Sequence, residues 1–333
     1  MRTEILQILQ ESGDSFVSGQ ILCEKFGVTR QAVWKAVSTL KEMGYEIESV
    51  PRRGYRLISS PDRLYGPQIE AWLPQGCLCR KVVDFDVTDS TNTQAKRLAE
   101  QGEPEGTLVV ADEQTGGKGR RGRGWETPHG TSIAMSLILR PHFSPVQASG
   151  LTLLAGLAVA RGIEQICGVT PQIKWPNDIV LNGRKVCGIL TEMSSEINMI
   201  NYAIVGIGIN ANQTAFPEDV ADIACSVAQV TGQKVNRQRL VAAVTAYLCE
   251  YYLGYIERGD LSQIIPTYNA MLANMDRQVK VYHGMIDTAR PEDIEVGIAR
   301  GIDASGALLV ETEHGMEAVV SGEVSVRGLY GYV

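Results

Sequence analysis

The sequence predicts an α+β fold in three parts, and three observations predict it. A basic head reads as three short helices and a hairpin, Asn182-Gly183 between two apolar runs marks a two-residue hairpin turn, and the C-terminal stretch alternates short strands with Gly turns. At ~150 residues per domain, a chain of 333 residues has room for two to three domains, and 44% hydrophobic with 21% charged residues is ordinary globular composition. The expected architecture is a winged helix-turn-helix over residues 1–60, a central mixed α/β domain over 66–274 on a largely antiparallel sheet, and a small SH3-like β-barrel over 277–333.

The head is legible element by element. Thr3 to Glu11 places Ile5, Leu6 and Leu9 on one face, Ser18 caps a helix ending at Gly27, and Thr29 caps a third helix ending at Gly44. In that third helix Val33, Ala36, Val37 and Leu40 form a core stripe, while Arg30, Gln31, Trp34, Lys35 and Ser38 face away. Strands Tyr45 to Val50 and Tyr55 to Ile58 flank a turn tipped by Arg52 and Arg53. Residues 25–56 carry seven Lys or Arg against three Glu, whereas residues 61–333 carry 23 basic against 31 acidic groups. A basic outward helix beside a basic turn fits DNA: Thr29 and its amides meet a phosphate, Arg30, Gln31, Trp34 and Lys35 face the groove, and Arg52 and Arg53 reach the neighbouring backbone.

After a linker over residues 59–66, strands are expected near 82–85, 108–113, 133–140, 172–175, 179–181, 186–193 and 202–209, with helices near 91–101, 146–166 and 236–258. Consecutive strands should pair antiparallel. No run reaches the ~18 consecutive apolar residues of a membrane span, and the N-terminus lacks the basic start and uncharged core of a leader, so no membrane partner and a cytoplasmic location are expected. The net charge of -7 argues against a wholly basic or polybasic membrane-surface protein. Seven scattered cysteines with one C-x-C and no C-x-x-C suggest neither a disulfide framework nor a zinc site.

Residues 117–122 match G-x-G-x-x-G, but the chain continues Arg123-Gly124-Trp125-Glu126-Thr127-Pro128-His129-Gly130, too rich in Gly and Pro for the helix that a dinucleotide fingerprint must open. Four cations within residues 117–123, between Gly hinges, suit a loop that closes over an anion, with an exposed Trp125 beside it. A second constellation, Lys174-Trp175-Pro176-Asn177-Asp178, places a lysine at the end of an apolar strand, either as an edge guard or as a buried cation facing a ligand. A third, Asp89-Ser90-Thr91-Asn92, opens a helix and taken alone is an ordinary cap. Four dispersed histidines form no Ser-His or Cys-His pattern, so any chemistry here rests on orientation and charge.

Taken in order, Ser90-Thr91-Asn92, Gln114, the basic loop 117–125, the 174–178 run and Gly206-Ile207-Gly208-Ile209-Asn210 resemble biotin protein ligases; with the winged helix in front, the chain resembles the bifunctional kind that also represses the biotin operon. The resemblance implies two steps: biotin and ATP give biotinyl-5′-adenylate, and a lysine of a biotin carboxyl carrier protein then takes the biotinyl group. It also implies Lys174 and Arg120 as catalytic residues, and Ser90, Thr91, Asn92, Gln114, Lys118, Gly119, Arg120, Lys174, Gly188 and Gly206 around biotin. For ATP it implies Arg120, Arg121, Trp125, Asn177, Asp178, Lys185 and Asn210, with Mg²⁺ near Asp178 through the phosphates. A homodimer on operator DNA in the adenylate-bound state is implied as well. The family often carries Arg where this chain has Lys118, which exchanges a planar bidentate contact for a point charge. Two other classes compete: a winged-helix repressor that only senses a small anion, and a lipoate-transferring relative.

Overall fold

The computed structural model describes residues 1–333 except 198, 284–293, 321–323 and 329–333. In the head, α1 (Arg2–Glu11), α2 (Gly19–Phe26) and α3 (Arg30–Glu42) precede β1 (Glu46–Val50) and β2 (Gly54–Ser59). The caps act as the sequence requires: the Ser18 and Thr29 hydroxyls accept from the Gln20 and Ala32 amides, each at 3.2 Å. Gly27 closes α2 in the left-handed conformation with φ 62°. Ile5, Leu6, Leu9, Leu22, Val33, Val37 and Leu40 form the head's own core. The β1–β2 hairpin is extended by an antiparallel bridge between Val17 and Tyr55.

The central domain runs α4 (Gly66–Trp72), β3 (Lys81–Thr88), α5 (Thr91–Glu100), β4 (Thr107–Gln114), β5 (Ser132–Leu139), α6 (Ser149–Cys167), β6 (Gln172–Lys174), β7 (Asp178–Leu181), β8 (Arg184–Glu196), β9 (Met199–Asn210), α7 (Val227–Thr231), α8 (Arg237–Arg258) and α9 (Ile265–Met271). Its seven strands lie in the order β3-β4-β5-β9-β8-β7-β6. The expectation that consecutive strands pair antiparallel fails at β3 and β4, which are parallel. Helix α5 crosses between them, and a crossover rather than a hairpin returns the chain to a parallel neighbour. Likewise α6 separates β5 from β6, so β5 pairs with β9. The Asn182-Gly183 turn does join β7 to β8, with both residues at positive φ (50° and 73°).

One face of this sheet carries α6 and α8 over the main core; the other carries α5, whose Ala95 and Ala99 pack on Val109, Ile138, Tyr202 and Ile204. Helix α6 with its preceding turn is long and apolar enough to cross a membrane by length and composition, but 72% of its most apolar window is buried inside the protein. Five C-terminal strands, β10 (Gln278–His283), β11 (Ile294–Ile302), β12 (Leu308–Thr312), β13 (Gly315–Val319) and β14 (Val324–Gly328), form an antiparallel sheet in the order β13-β12-β11-β10-β14. The sequence also predicts a short acidic interruption of these strands from Ala289 to Asp293, which lies outside the described residues. Trp175 Nε1 donates to the Gly306 carbonyl at 3.2 Å, which docks this sheet on the central domain.

The segment between head and central domain is anchored rather than free. Leu64 is fully buried, and Asp62 accepts from Arg237 Nε at 2.6 Å while Arg237 also pairs with Asp112 at 2.7 Å. A buried guanidinium needs such partners, because an unpaired one would lose several kcal/mol of hydration. Tyr45 of the head donates to Gln68 of α4 at 2.5 Å.

Candidate functional site

The α5 face of the sheet opens into a cleft enclosing about 460 Å³, part of it open to solvent. Its floor follows from the two-residue period of β9: Tyr202 and Ile204 pack under α5, but the next residues on that face are Gly206 and Gly208. A Cβ at 206 would lie 2.0 Å from Asn92 Oδ1, and one at 208 would lie 2.3 Å from Trp125 Nε1. Only glycine therefore lets these side chains approach the backbone. Gly188 of β8 is in the same position, with Trp125 and Lys185 3.1 Å from a would-be Cβ.

The wall at the α5 end is a hydrogen-bonded array with fixed polarity. Gln114 Oε1 accepts from the Thr91 amide at 2.8 Å and from Thr91 Oγ1 at 3.1 Å, while Gln114 Nε2 donates to Thr127 Oγ1 at 2.9 Å. Asn92 Nδ2 donates to Glu192 at 2.7 Å and to the Leu190 carbonyl at 3.3 Å, so its Oδ1 is left as acceptor and takes the Ser136 hydroxyl at 2.6 Å. These are the fixed donors and acceptors that a small polar heterocycle in an otherwise apolar pocket requires.

The basic loop folds as a small hairpin of its own. Lys118 bridges Gly124, the Gly119 amide donates to the Arg123 carbonyl at 2.7 Å, and residues 120–122 form one 3₁₀ turn. Arg120 reaches across to Asn177 Oδ1 at 2.7 Å and fastens the loop to the turn between β6 and β7. Trp125 is half-buried against Gly188 and Gly208 rather than exposed as expected, because the two glycines give its indole a floor. Its buried N–H has no hydrogen-bond partner among the described residues. Lys118 is exposed and directs its ammonium to Thr93 at 3.4 Å.

At the opposite rim Lys185 pairs with Asp178 at 2.7 Å and holds its ammonium 5.4 Å from the Trp125 ring centroid. The Asn177 amide also donates to Asp178, at 3.1 Å. Asp178, which the resemblance puts beside magnesium through the phosphates, is thus held by Lys185 and Asn177 at the start of β7.

Of the residues singled out from the sequence, Ser90, Thr91, Asn92, Gln114, Lys118, Gly119, Arg120, Trp125, Asn177, Lys185, Gly188 and Gly206 line the cleft. Lys174 is 9% exposed, at the strand end across from Asp178 in the β6–β7 pair, and is not part of the lining. Asn210, next after Gly206 and Gly208 on the same face of β9, is not part of the lining, and its Oδ1 accepts from Gln213 at 3.1 Å. The Arg121 side chain lies outside the described residues. Sequence reasoning missed Ser136, Glu192 and Thr127, which touch the site through other side chains and sit in no motif. Gly208, quoted in the Gly206–Asn210 run but given no role, lines the cleft as well.

In the head, Arg30, Gln31 and Lys35 are exposed beside Trp34, which is 62% exposed. Thr29 uses its hydroxyl as the cap of α3. Arg52 and Arg53 are both exposed at the turn, Arg52 with φ 66° and Arg53 with its guanidinium 4.2 Å over the Phe16 ring.

Fold and site together define a winged-helix protein whose main domain closes a cationic loop over a glycine-floored ligand cleft. Residues 85–210 match the biotin/lipoate A/B protein ligase family, residues 2–56 an HTH domain, and residues 288–327 the biotin protein ligase C-terminal domain. The chain belongs to the bifunctional biotin ligase/repressor family: it is 38% identical over 330 residues to the bifunctional ligase/repressor BirA of Bacillus spizizenii, covering 98% of both chains. It is 32% identical over 314 residues to BirA of Escherichia coli, covering 94% of this chain and 93% of that one. Among solved structures, the biotin protein ligase of Aquifex aeolicus in complex with biotin and ATP superposes with a TM-score of 0.63 at 30% identity, over 74% of this chain and 98% of that one.

Proposed function

We infer that this chain is an ATP-dependent biotin–[biotin carboxyl carrier protein] ligase and an adenylate-dependent repressor of biotin genes. The observation that carries the enzymatic half is the cleft itself: a glycine floor and a polar wall of fixed orientation, with Lys118, Arg120 and Lys185 converging on one opening. The biotin carboxylate oxygen attacks the α-phosphorus of ATP, the bond to the bridging oxygen breaks, and pyrophosphate leaves. A carrier lysine amine then attacks the acyl carbon of biotinyl-5′-adenylate, releasing AMP. Thr91, Asn92 and Gln114 orient the biotin ring system, Lys185 and Arg120 balance carboxylate and phosphate charge, and Lys174 stabilises charge building on the α-phosphate, an electrostatic role that needs no covalent nucleophile. Trp125 offers its ring to the nucleotide base. Magnesium belongs with the nucleotide's phosphates rather than with a protein cage.

The proposed division of labour is residues 1–60 for operator DNA, 66–274 for catalysis, and 277–333 as the C-terminal domain beside the carrier protein. We further propose that the protein is cytoplasmic and that the adenylate-bound form is a homodimer, since one short wing offers few base contacts and two half-sites double them. Incubating the purified protein with biotin, ATP and a carrier domain, with detection by labelled streptavidin, tests the ligase. A blot without signal, from protein that still binds biotin, would leave only a metabolite-sensing repressor. Footprinting with and without biotin plus ATP tests the second activity, and removal of residues 1–60 should abolish the footprint while largely sparing biotinylation.

A further inference from the structure

The α5 wall of the cleft has a counterpart at the far end of the same floor. Strands β5 and β9 pair in register with Ser136 opposite Gly206, Ala134 opposite Gly208 and Ser132 opposite Asn210. These six residues share one face of the sheet, because Ile138 of β5 and Tyr202 and Ile204 of β9 continue the same alternation under α5. The face is polar at both ends and bare between them. At one end Ser136 holds Asn92. At the other, Ser132 stands four residues along the strand, roughly 13 Å away at ~3.4 Å per residue, and is fully buried.

The residue that organises this far end is Gln213, 5% exposed. Its Nε2 donates to Ser132 Oγ at 2.6 Å and to Asn210 Oδ1 at 3.1 Å. Its backbone carbonyl accepts from the Ser226 hydroxyl at 2.7 Å, which fixes the turn after β9. Ser132 is fixed from behind, since Nη1 of the buried Arg237 donates to its carbonyl at 2.7 Å. Both Nε2 hydrogens of Gln213 are thus committed, whereas its Oε1 is buried with no hydrogen-bond partner among the described residues. A buried acceptor left alone is costly, so what Gln213 contributes lies at its donor end. There it fixes one amide: with Oδ1 of Asn210 bound by Gln213, Nδ2 is the end of Asn210 left to donate. The cleft lining reaches Gly208 and Trp125, and Asn210 is the next position on that face.

We propose that Gln213 is a positioning residue that selects the nucleobase through Asn210. The proposal rests on the ligase reading, in which biotin lies at Asn92 and the base at Trp125, so that Asn210 is the polar group reached next along the floor. A fixed N–H donor matches adenine, whose ring N1 is an acceptor, and opposes hypoxanthine, whose N1 carries a hydrogen. An amide free to turn would offer either end and discriminate neither base.

The test measures pyrophosphate release from biotin with ATP or ITP, in the full-length protein and in Gln213→Glu, Gln213→Met and Ser132→Ala, beside the urea midpoint of each. The parent should prefer ATP. In Gln213→Glu the carboxylate only accepts, so Asn210 turns its Nδ2 inward and shows Oδ1 to the base; the ATP-to-ITP ratio of kcat/KM should fall roughly tenfold or more. Gln213→Met keeps the bulk without the donor and should raise ATP KM roughly tenfold, the loss of about one hydrogen bond, lower the same ratio and leave biotin KM within about twofold. Should neither Gln213 variant fold, Ser132→Ala, which removes one of the two acceptors that hold the Gln213 amide, should still lower the ratio by a few-fold. A purely structural role would move the urea midpoint and spare the ratio. A parental ATP-to-ITP ratio in the folded variants, or a biotin KM that rises as far as that of ATP, would overturn the role of Gln213 while leaving the ligase reading in place. A folded parent that releases no pyrophosphate from ATP would overturn that reading and the proposal with it.

Discussion

Strand β9 has two faces that do opposite work. On one, Ala203, Val205, Ile207 and Ile209 enter the main core against α6 and α8; on the other, Tyr202 and Ile204 give way to Gly206 and Gly208. Burying each large aliphatic side chain contributes roughly 1.5–3 kcal/mol, while each strand glycine costs roughly 0.5–1 kcal/mol against alanine. The same backbone is held by its hydrocarbon side and hollowed on its ligand side. A site floor can be this bare because the stabilisation comes from the reverse face, in register by the pleat.

The two faces can be perturbed one at a time, and the largest effect is expected on the core face. Ile209→Ala removes a fully buried side chain and should cost roughly 2–5 kcal/mol of stability, read as a lower urea midpoint, while biotin and ATP KM stay within a few-fold below the transition. A variant as stable as the parent but impaired in binding would mean that the two faces are not separable. On the ligand side Lys174→Ala should lower biotin-dependent pyrophosphate release roughly 10²-fold or more, as loss of a preorganised charge stabiliser does, with the urea midpoint little changed. Wild-type release would remove Lys174 from the chemistry and leave it as a buried edge cation.

How much of this was legible in the sequence depends on what fixes each feature. Caps, core stripes and the Asn182-Gly183 turn are local, and so α1 to α3 and the β7–β8 hairpin follow from residues a few positions apart. The parallel β3–β4 pair was not legible, because strand order is set by which crossover packs where, and β-periodicity is blind to it. The cationic loop announced itself by charge density, yet its Trp125 was misplaced: the floor that shelters it comes from Gly188 and Gly208, more than sixty residues on. The Asp178–Lys185 pair was not legible for the same reason, since Lys185 becomes adjacent only when β7 pairs with β8.

A smaller effect bears on the floor itself. Gly208→Ala places a methyl where the indole Nε1 of Trp125 now lies 2.3 Å away. Overpacking of this kind costs roughly 1–3 kcal/mol, and because the ring can lift with its loop, the loss should appear as a roughly tenfold rise in ATP KM with the urea midpoint nearly kept. Loss of stability without a change in KM would assign Trp125 to packing alone.

The smallest effect falls on a residue that no motif marks. Ser136, fully buried on β5, donates to Asn92 Oδ1 at 2.6 Å and stands 2.8 Å from Thr91 Oγ1, so it joins two residues of the polar wall. Asn92 does not depend on it alone, since Glu192 and the Leu190 carbonyl hold its amide from the other end. Ser136→Ala therefore leaves Asn92 facing the right way but without a donor for its carbonyl oxygen, a loss of about 1 kcal/mol for an ordinary hydrogen bond. Biotin KM should rise by a few-fold, turnover should stay, and Ser136→Thr, which restores the hydroxyl, should recover part of the loss if its methyl fits. The split between KM and turnover matters because a wall that orients biotin acts on binding, whereas a group that stabilises the transition state slows the chemical step when it is lost. A large drop in turnover with unchanged biotin KM would place Ser136 in the chemical step and make the α5 wall part of the reaction rather than of recognition.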